Sequence, residues 1–220
     1  MKELKEGQNL RKNPDEKTYS ELGKEWGTKG KQGLVASSLT GEDANMSAKN
    51  LKDAEYFMSL AIEEAKKAEE IGEVPIGAVV VYQGKVIGRG HNKRESSYLA
   101  TSHAELLAIN EANKNLNAWR LTDCDLYVTL EPCPMCSGAI ILSRLRHVYF
   151  GARDEKAGCC GSLMNLLADQ RFNHQVPLTE GICQEQCQQL LSNFFKTLRQ
   201  RQQKLKKARQ VTKRWLGNFK

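Results

Sequence analysis

The spacing of four side chains constrains the fold of this chain more than any other feature. His103 and Glu105 are separated by one residue, and Cys133 and Cys136 follow with two residues between them. Two cysteines at this spacing can bind one zinc ion, and a histidine can supply a third ligand. Three protein ligands leave the fourth tetrahedral position to water, which is typical of catalytic rather than structural zinc. The fold must therefore bring the two segments together, with Glu105 close enough to reach that water without binding the metal.

Each motif alone has a more ordinary interpretation. A lone C-x-x-C is a structural zinc site or a redox pair in roughly half of cases. A lone H-x-E is usually part of an exposed helix surface. The two together, with Pro132 directly before the first cysteine, are far more specific. H-x-E followed by P-C-x-x-C is the signature of zinc-dependent nucleobase deaminases, in which the glutamate is the general acid and base and not a ligand. We therefore predict that His103, Cys133 and Cys136 bind Zn²⁺ and that Glu105 is catalytic.

The positive charge of the chain is concentrated at its end. The formal net charge is +7 for 220 residues. Ten lysines and arginines and no acidic residues lie between Lys196 and the C-terminus, so the rest of the chain carries −3. Such a block favours contact with a polyanion such as nucleic acid; the alternative is a frayed, solubilising helix end. We predict a basic helical tail at 199–220.

The first fifty residues differ in composition from the rest. Residues 1–50 are rich in Lys, Glu, Gly and Ser, and their apolar residues are scattered. Such a stretch buries too little apolar surface to offset its ordering entropy, so it is predicted to be a disordered extension, with Met46 as a candidate true start. One zinc-dependent deaminase domain is expected at 51–198.

The cysteine count and the hydropathy pattern bear on location. The chain has seven cysteines, an odd number, and no signal peptide is recognisable. This favours a reducing compartment, the cytoplasm, over a disulfide framework. No apolar run is long enough for a membrane span, so no membrane partner is expected.

Hydrophobic periodicity predicts a hairpin followed by helices and strands in alternation. The expected helices lie at 52–71, 103–113, 133–143, 162–168 and 184–210, and the expected strands at 76–82, 85–90, 125–130, 147–151 and 176–178. This order is typical of an α/β fold, a three-layer α/β/α domain with a mixed five-stranded sheet. Both metal-binding segments begin helices, whose partly positive N-termini favour the thiolate form of cysteine.

From Val74 to about Leu198 the sequence closely resembles the bacterial tRNA-specific adenosine deaminases of the cytidine-deaminase superfamily. The segments that carry the resemblance are EVPIGA at 73–78, GHN at 90–92, HAE at 103–105, YVTLEPCPMC at 127–136, FGARD at 150–154, GSLMNL at 161–166 and LLSNFF at 190–195. The zinc motifs alone would indicate only the superfamily. The loop at 151–154 and the phenylalanine pair at 194–195 are what resemble the tRNA branch.

The resemblance implies an activity, a substrate and an assembly. It implies a cytidine-deaminase-like fold and hydrolytic deamination of adenosine to inosine at the wobble position, 34, of a tRNA anticodon. It also implies one zinc ion per subunit, a homodimer, and binding of the anticodon arm, with arginine tRNA of anticodon ACG as the family's substrate. None of this follows from composition or periodicity.

Several residues are candidates for substrate contact, mainly through the resemblance. The amide of Asn92 offers a donor and an acceptor for the edge of a base; otherwise it is a turn residue. The backbone amide of Ala104 suits the base or the charge that develops on it. Arg153 suits neighbouring phosphates. Asp154 suits a ribose 2′-hydroxyl, and the alternative is that it only braces its own loop.

The last candidates are Phe194 and Phe195. A base in a folded tRNA loop must leave its stack to reach the metal, and aromatic rings commonly hold such bases and their neighbours. One of the two rings is expected to serve helix packing instead.

Two other functions share part of the pattern. A deaminase of a free base or nucleoside, such as cytidine or guanine, would have the same zinc motif but no use for ten cationic residues at one end. A non-catalytic zinc-containing RNA-binding module would leave Glu105 and the open zinc position without a purpose.

Overall fold

The computed structural model describes the backbone of residues 48–217 and the side chains of residues 50–207. The predicted extension at 1–50, with the candidate start Met46, therefore lies outside the described residues except for its last three positions. Within the described part, no helix combines the length and the apolar character needed to cross a membrane.

Helices and strands account for most of the described chain. The helices are α1 (Ala48–Glu70), α2 (Arg94–Ser97), α3 (Ala104–Leu116), α4 (Pro134–Leu142) and α5 (Gln184–Gly217). The strands are β1 (Gly77–Tyr82), β2 (Lys85–His91), β3 (Cys124–Leu130), β4 (His147–Ala152) and β5 (Leu178–Glu180). The predicted hairpin of β1 and β2 and the β3–α4–β4 alternation are confirmed.

The strands form one mixed sheet in the order β2-β1-β3-β4-β5. β1 is antiparallel to β2 and β3, whereas β3, β4 and β5 run parallel. A parallel pair needs a crossover connection, and α4 provides it between β3 and β4. The predicted five-stranded mixed sheet is therefore confirmed, and β3, the strand that leads to the cysteines, lies at its centre.

Alternating side chains of the central strands pack on opposite faces of the sheet, as the period of two in a strand requires. Ala78 and Val80 of β1 pack in the core formed with α3 and α4. Val79 and Val81 pack in a second core with α1 and the first part of α5. Helices thus cover both faces, and the predicted three-layer α/β/α arrangement is confirmed.

Two helices lie so close to the sheet that only glycine fits beneath them. A Cβ at Gly77 would lie 2.1 Å from the carbonyl oxygen of Ala61 in α1, and a Cβ at Gly88 would lie 2.2 Å from that of Ala108 in α3. Both distances are far shorter than a van der Waals contact. Because α3 begins directly after His103, Gly88 of β2 also affects how closely this metal-binding histidine approaches the sheet.

The predicted helix at 162–168 is wrong. These residues form a series of turns, with an isolated bridge between Cys160 and Asn165. The buried carboxylate of Glu131 accepts hydrogen bonds from the backbone amides of Cys160 and Ser162 and from the Ser162 hydroxyl. Within the turns, the amides of Leu163 and Leu166 are bonded to the carbonyls of Gly158 and Cys159, so the chain folds back on itself instead of forming helical bonds.

Other boundaries differ less from the prediction. The last strand is Leu178–Glu180, slightly later than expected, because the amide of Val176 is bonded to the carbonyl of Leu167 rather than to the sheet. The first helix begins earlier, at Ala48, and the last runs farther, to Gly217. The short helix α2 was not expected.

We expect Gly88→Ala to lower the free energy of unfolding by about 1–3 kcal/mol, the usual cost of forcing extra atoms into a packed core. The added methyl group would have to push α3 away from β2. Urea unfolding followed by circular dichroism would measure the loss.

Gly138→Ala in α4 is the matched control, because a Cβ there meets nothing within 4 Å. It should leave stability unchanged or raise it by up to about 1 kcal/mol, since alanine favours helix over glycine. Equal stability of the two variants would contradict the close approach of α3 to β2.

Candidate active site

Both predicted metal-binding segments lie at the N-termini of helices on the same face of the sheet. His103 directly precedes α3 and Cys133 directly precedes α4, each with an extended backbone. Pro134 is the first residue of α4, where the amide hydrogen that proline lacks would have no helical partner. Cys136 follows within the first turn. The two helix starts converge and bring the three side chains together.

The three side chains fit a tetrahedral metal ion. Cys133 Sγ lies 3.6 Å and Cys136 Sγ lies 3.7 Å from Nδ1 of His103, and all three ligand atoms lie within 4.8 Å of one another. With Zn–N of about 2.0–2.1 Å and Zn–S of about 2.3 Å, tetrahedral geometry requires an N–S separation of about 3.6 Å. The ligand atoms are therefore spaced as such a site requires, with Nδ1 facing the sulfur atoms.

The two cysteines differ in ionisation in the protein alone. The hydrogen bond with the Cys136 thiol, and then that with His103, lowers the pKa of Cys133 to about 4. The pKa of Cys136 is raised, first by its hydrogen bond with Cys133 and then by burial. The pKa of His103 is also raised, mainly by its hydrogen bond with Cys133. With a bound cation both cysteines would be thiolates, because coordinated thiols are deprotonated.

Glu105 lies beside this group without belonging to it. It sits in the first turn of α3, is 4% exposed, and is not among the three grouped ligand residues. Burial raises the pKa of Glu105 to about 7. A carboxyl group with a pKa near the working pH can both accept and deliver a proton. The position and the proton affinity of Glu105 are those that a general acid and base needs.

A cavity of about 440 Å³ has this group in its wall. His103, Cys133 and Glu105 all line it, and its volume lies in the range of small-molecule sites. Of the residues predicted to contact substrate, the ones that line the cavity are Asn92, Ala104, Arg153, Asp154 and Phe195.

The two phenylalanines differ in their relation to this cavity. Phe195 is 40% exposed and lines it, whereas Phe194 is half-buried and lies outside its wall. The two rings meet edge to face with their centroids 5.5 Å apart. If one ring serves helix packing, as expected, the structure favours Phe194 for that part.

Arg153 and Asp154 follow directly after β4. Arg153 donates two hydrogen bonds of 2.7 Å to Glu180 of β5, in an exposed ion pair. Oδ1 of Asp154 accepts hydrogen bonds from the backbone amides of Lys156 and Ala157 at 3.0 and 3.2 Å. Asp154 therefore braces its own loop, as the alternative interpretation expected, while it also lines the cavity.

Glu73 belongs to the site although it had no predicted role. Its carboxylate is 1% exposed; Oε2 accepts a hydrogen bond from Nδ2 of Asn92 at 3.1 Å, and Oε1 accepts one from the amide of Ser96 in α2 at 2.6 Å. Because a carboxylate only accepts, Asn92 turns its amino group toward Glu73 and leaves its carbonyl oxygen for the cavity. The sequence does place this acidic residue shortly before a buried strand, which could have indicated a role in the site. Its partner, Asn92, lies 19 residues away and is not evident from the sequence.

Glu131 fixes the loop after β4 to the end of β3. Its buried carboxylate accepts hydrogen bonds from the amides of Asp154, Cys160 and Ser162 and from the Ser162 hydroxyl. Burial opposes ionisation, but these hydrogen bonds hold the pKa of Glu131 below its ordinary value. The loop that brings Arg153 and Asp154 into the cavity wall is held in place through this one side chain.

The chain is similar in sequence and in structure to known deaminases. A family model described as MafB19-like deaminase matches residues 52–199. The tRNA-specific adenosine deaminase of Bacillus subtilis (strain 168) is 55% identical over 153 residues, which cover 70% of this chain and 95% of that relative. The tRNA-specific adenosine deaminase of Aquifex aeolicus (strain VF5) is 49% identical over 145 residues, which cover 66% of this chain and 95% of that relative.

A solved structure is also similar. It comes from studies of A-to-I editing by tRNA:A34 deaminases at the wobble position of transfer RNA. It matches with a TM-score of 0.60 and 40% sequence identity, over 62% of this chain and 99% of that chain. These relatives are matched over nearly their whole length, and the family model spans both metal-binding segments together with Glu105. The chain belongs to the family of tRNA-specific adenosine deaminases.

Proposed function

We propose that this protein is a hydrolase that converts adenosine 34, at the wobble position of a tRNA anticodon, to inosine. The observation that carries the proposal is the convergence of His103, Cys133 and Cys136 beside the buried carboxyl group of Glu105, in the wall of one cavity. Of these residues, His103, Cys133 and Glu105 line the cavity, and Cys136 is buried behind them. This arrangement combines a metal site with a general acid and base. The relatives named for tRNA adenosine deamination support the choice of substrate.

The metal in this proposal is zinc, one ion per subunit. Two thiolates and one imidazole in tetrahedral arrangement suit zinc, whereas magnesium and calcium take oxygen ligands. His103, Cys133 and Cys136 would hold the ion as its three protein ligands, the number typical of catalytic zinc sites. When bound, the ion polarises a water molecule and lowers its pKa toward about 7.

Glu105 moves the protons of the reaction. It accepts a proton from the attacking water and delivers it to N1 of adenine, which makes C6 electrophilic. The water oxygen forms a bond to C6, and the bond from C6 to the amino nitrogen breaks after Glu105 has delivered the second proton of that water to the amino group. Adenosine and water thus give inosine and ammonia. One carboxyl group serves both transfers, since its pKa of about 7 lets it change protonation state readily.

Asn92, Ala104 and Phe195 position the base in this proposal. Asn92 presents its carbonyl oxygen to the nucleotide because Glu73 holds its amino group. The backbone amide of Ala104, at the start of α3, donates a hydrogen bond to the base. Phe195 offers a partly exposed ring on which an unstacked base can lie, and Phe194 is assigned to packing.

Arg153 and Asp154 contact the RNA backbone in this proposal. The ion pair of Arg153 with Glu180 is exposed, and such pairs contribute only about 0–1 kcal/mol, so the guanidinium can turn to a phosphate at little cost. One oxygen of Asp154 braces the loop, and the other is proposed to accept a hydrogen bond from a ribose 2′-hydroxyl.

The proposed substrate is the anticodon arm of arginine tRNA with anticodon ACG, as the family resemblance implies. We also propose a homodimer, which would bury exposed apolar side chains such as Leu142, Leu163 and Met164. A cytoplasmic location is proposed because the substrate is a tRNA and every cysteine of the chain is free.

A substrate panel tests the proposed function. Purified protein is incubated with an anticodon stem-loop carrying A34, and separately with free adenosine, guanine and cytidine, and the products are identified by mass spectrometry. Inosine from the stem-loop is the expected result. Deamination of a free base or nucleoside, with the stem-loop unchanged, would identify the protein as a small-molecule deaminase. If the protein binds the stem-loop but deaminates nothing, it is a non-catalytic RNA-binding module.

Glu105→Ala should keep the fold and the metal but lose activity by about 100- to 10,000-fold or more, because one residue makes both proton transfers. Single-turnover deamination of the stem-loop measures the loss. Glu63→Ala is the control, since Glu63 is an exposed acidic residue of α1 that does not line the cavity. Near-normal turnover by a metal-loaded Glu105→Ala protein would show that another group moves the protons.

Cys133→Ser and Cys136→Ser should each lose zinc, because a serine hydroxyl is a poorer zinc ligand than a thiolate. The measurement is the zinc content per subunit by plasma mass spectrometry. Cys183→Ser is the control and should keep full occupancy, since Cys183 lies outside the ligand group. Full zinc occupancy in both ligand variants would rule these ligands out.

Glu73→Gln should lower kcat/KM by about 10- to 100-fold, the equivalent of one hydrogen bond to a charged group. A glutamine can donate as well as accept, so it no longer forces the orientation of Asn92. In an Asn92→Ala background the same change should have little further effect, because the two residues act as one unit. Additive losses in the double variant would show that Glu73 acts independently of Asn92; Glu95→Gln, an exposed neighbour, is the control.

A further inference from the structure

The last helix continues well past the active site. α5 is 34 residues long, Gln184–Gly217, which is about 51 Å at 1.5 Å per residue. Its first part packs on the sheet, where Cys187 is buried, and Phe195 lines the cavity. Every side chain from Lys196 to Lys207 is exposed, and the family model ends at residue 199. The described side chains of this second part therefore support neither the core nor the metal site.

The exposed stretch at 196–207, here named the basic arm, carries six positive charges and no negative ones. These residues are Lys196, Arg199, Arg201, Lys204, Lys206 and Lys207. Some exposed cations elsewhere in the described residues are paired, as Arg153 is with Glu180 and Arg171 with Asp169. Within the described residues, none of the six forms an ion pair. Like charges along a helix repel one another, so a bound polyanion would stabilise the basic arm.

The charges of the basic arm favour one side of the helix. At about 100° per residue, five of the six fall within about 160° of the circumference. The exception is Arg201. Leu198 and Leu205, the two large apolar residues of the arm, fall on the opposite side. The basic arm is therefore amphipathic, with a broad charged side and a narrow apolar side.

The charged side of the basic arm continues the side of α5 that lines the cavity. Leu191 and Phe195 both line the cavity, and Arg199 follows Phe195 at the same spacing of four residues. Residues at this spacing lie in one row along a helix. Lys206 falls close to the same row, about two turns farther on. A polyanion that enters the cavity and also runs along α5 would therefore meet Arg199 and then Lys206.

The distance of the basic arm from the cavity indicates a duplex rather than a single strand. Lysine and arginine alone suit the phosphate backbone, without regard to base sequence. From Phe195 to Lys207 the helix extends about 18 Å. In a small hairpin whose loop occupies the cavity, the part at that distance is the stem.

We propose that the basic arm binds the phosphate backbone of the duplex stem of the RNA whose loop enters the active-site cavity. The inference rests on the proposed function and adds a second contact surface for the same substrate. The loop is recognised in the cavity, and the stem is held by charge along α5.

The test uses a full-length variant with Arg199→Gln, Lys204→Gln, Lys206→Gln and Lys207→Gln combined, because glutamine keeps helix propensity while removing charge. Binding is measured by fluorescence anisotropy with two hairpins that share one A34 loop and differ in stem length, over a range of salt concentrations. The matched control is Gln200→Ala, Gln202→Ala and Gln203→Ala in the same stretch, which leaves the charge unchanged.

The unmodified protein should bind the long-stem hairpin more tightly than the short-stem one, and the glutamine variant, which keeps six of the ten cations from Lys196 to the C-terminus, should lose most of that preference. The logarithm of the binding constant falls with the logarithm of the salt concentration, with a slope of about 0.9 per neutralised phosphate. Four lost contacts should therefore reduce this slope by about 3.6. Between about 50 and 200 mM salt, the affinity of the unmodified protein should fall about 100-fold more than that of the variant. The alanine control should keep both the stem preference and the slope.

Three results would overturn the inference. The first is an unchanged stem preference and salt slope in the glutamine variant. The second is an equal loss of affinity for both hairpins and for a single-stranded oligonucleotide, which would place the contact outside the stem. The third is unchanged RNA binding with loss of binding to vesicles of anionic phospholipid, which would assign the basic arm to a membrane surface.

Inosine formation is measured separately, so that the two proposals can fail independently. Stem-dependent binding without inosine formation would refute the proposed function and support the inference about the basic arm. Inosine formation without any stem dependence would support the proposed function and refute the inference.

Discussion

The packing of α3 and α4 on one face of the sheet is the interaction on which the rest of the structure depends. Each helix begins at a metal-binding residue, so the separation of the two helix starts sets the separation of His103 from the cysteines. Gly88 and Gly90 of β2 let α3 approach the sheet to backbone contact. β3, the central strand, leads through Glu131 directly into Cys133. The ligand geometry is therefore a property of the whole sheet–helix packing rather than of a flexible loop.

Three buried glutamates surround this centre, and the balance between burial and hydrogen bonding differs among them. Glu131 accepts four hydrogen bonds, which lower its pKa, and Glu73 accepts two. For Glu105 the effect of burial outweighs the hydrogen bonds with its own amide and with Cys136, and its pKa is raised to about 7. Buried charge is tolerated when it is fully hydrogen-bonded, so Glu131 is suited to fixing the cavity wall, and Glu73 fixes Asn92 and Ser96 through its two hydrogen bonds. Glu105 is suited to changing its protonation state.

The layered fold and the three grouped ligand residues could be predicted because each rests on local spacing or on periodicity. The features that could not be predicted depend on contacts between distant segments. The amides of Cys160 and Ser162, at the start of the turns found in place of the predicted helix, bond to Glu131, and Asn92 is oriented by Glu73 across 19 residues. Phe194 and Phe195 are neighbours in sequence, and only the way α5 packs on the sheet decides which ring meets the cavity.

In the proposed arrangement, affinity and chemistry are supplied by different parts of the chain. Charge attraction between the basic arm and phosphates acts equally before and during the reaction, so it strengthens binding without lowering the barrier of the chemical step. Phosphate contacts also carry no base sequence, so the choice of nucleotide must be made in the cavity, where Glu105 and Asn92 lie. A helix that continues past residue 199, where the family model ends, can therefore add affinity for RNA without disturbing the geometry of the metal site.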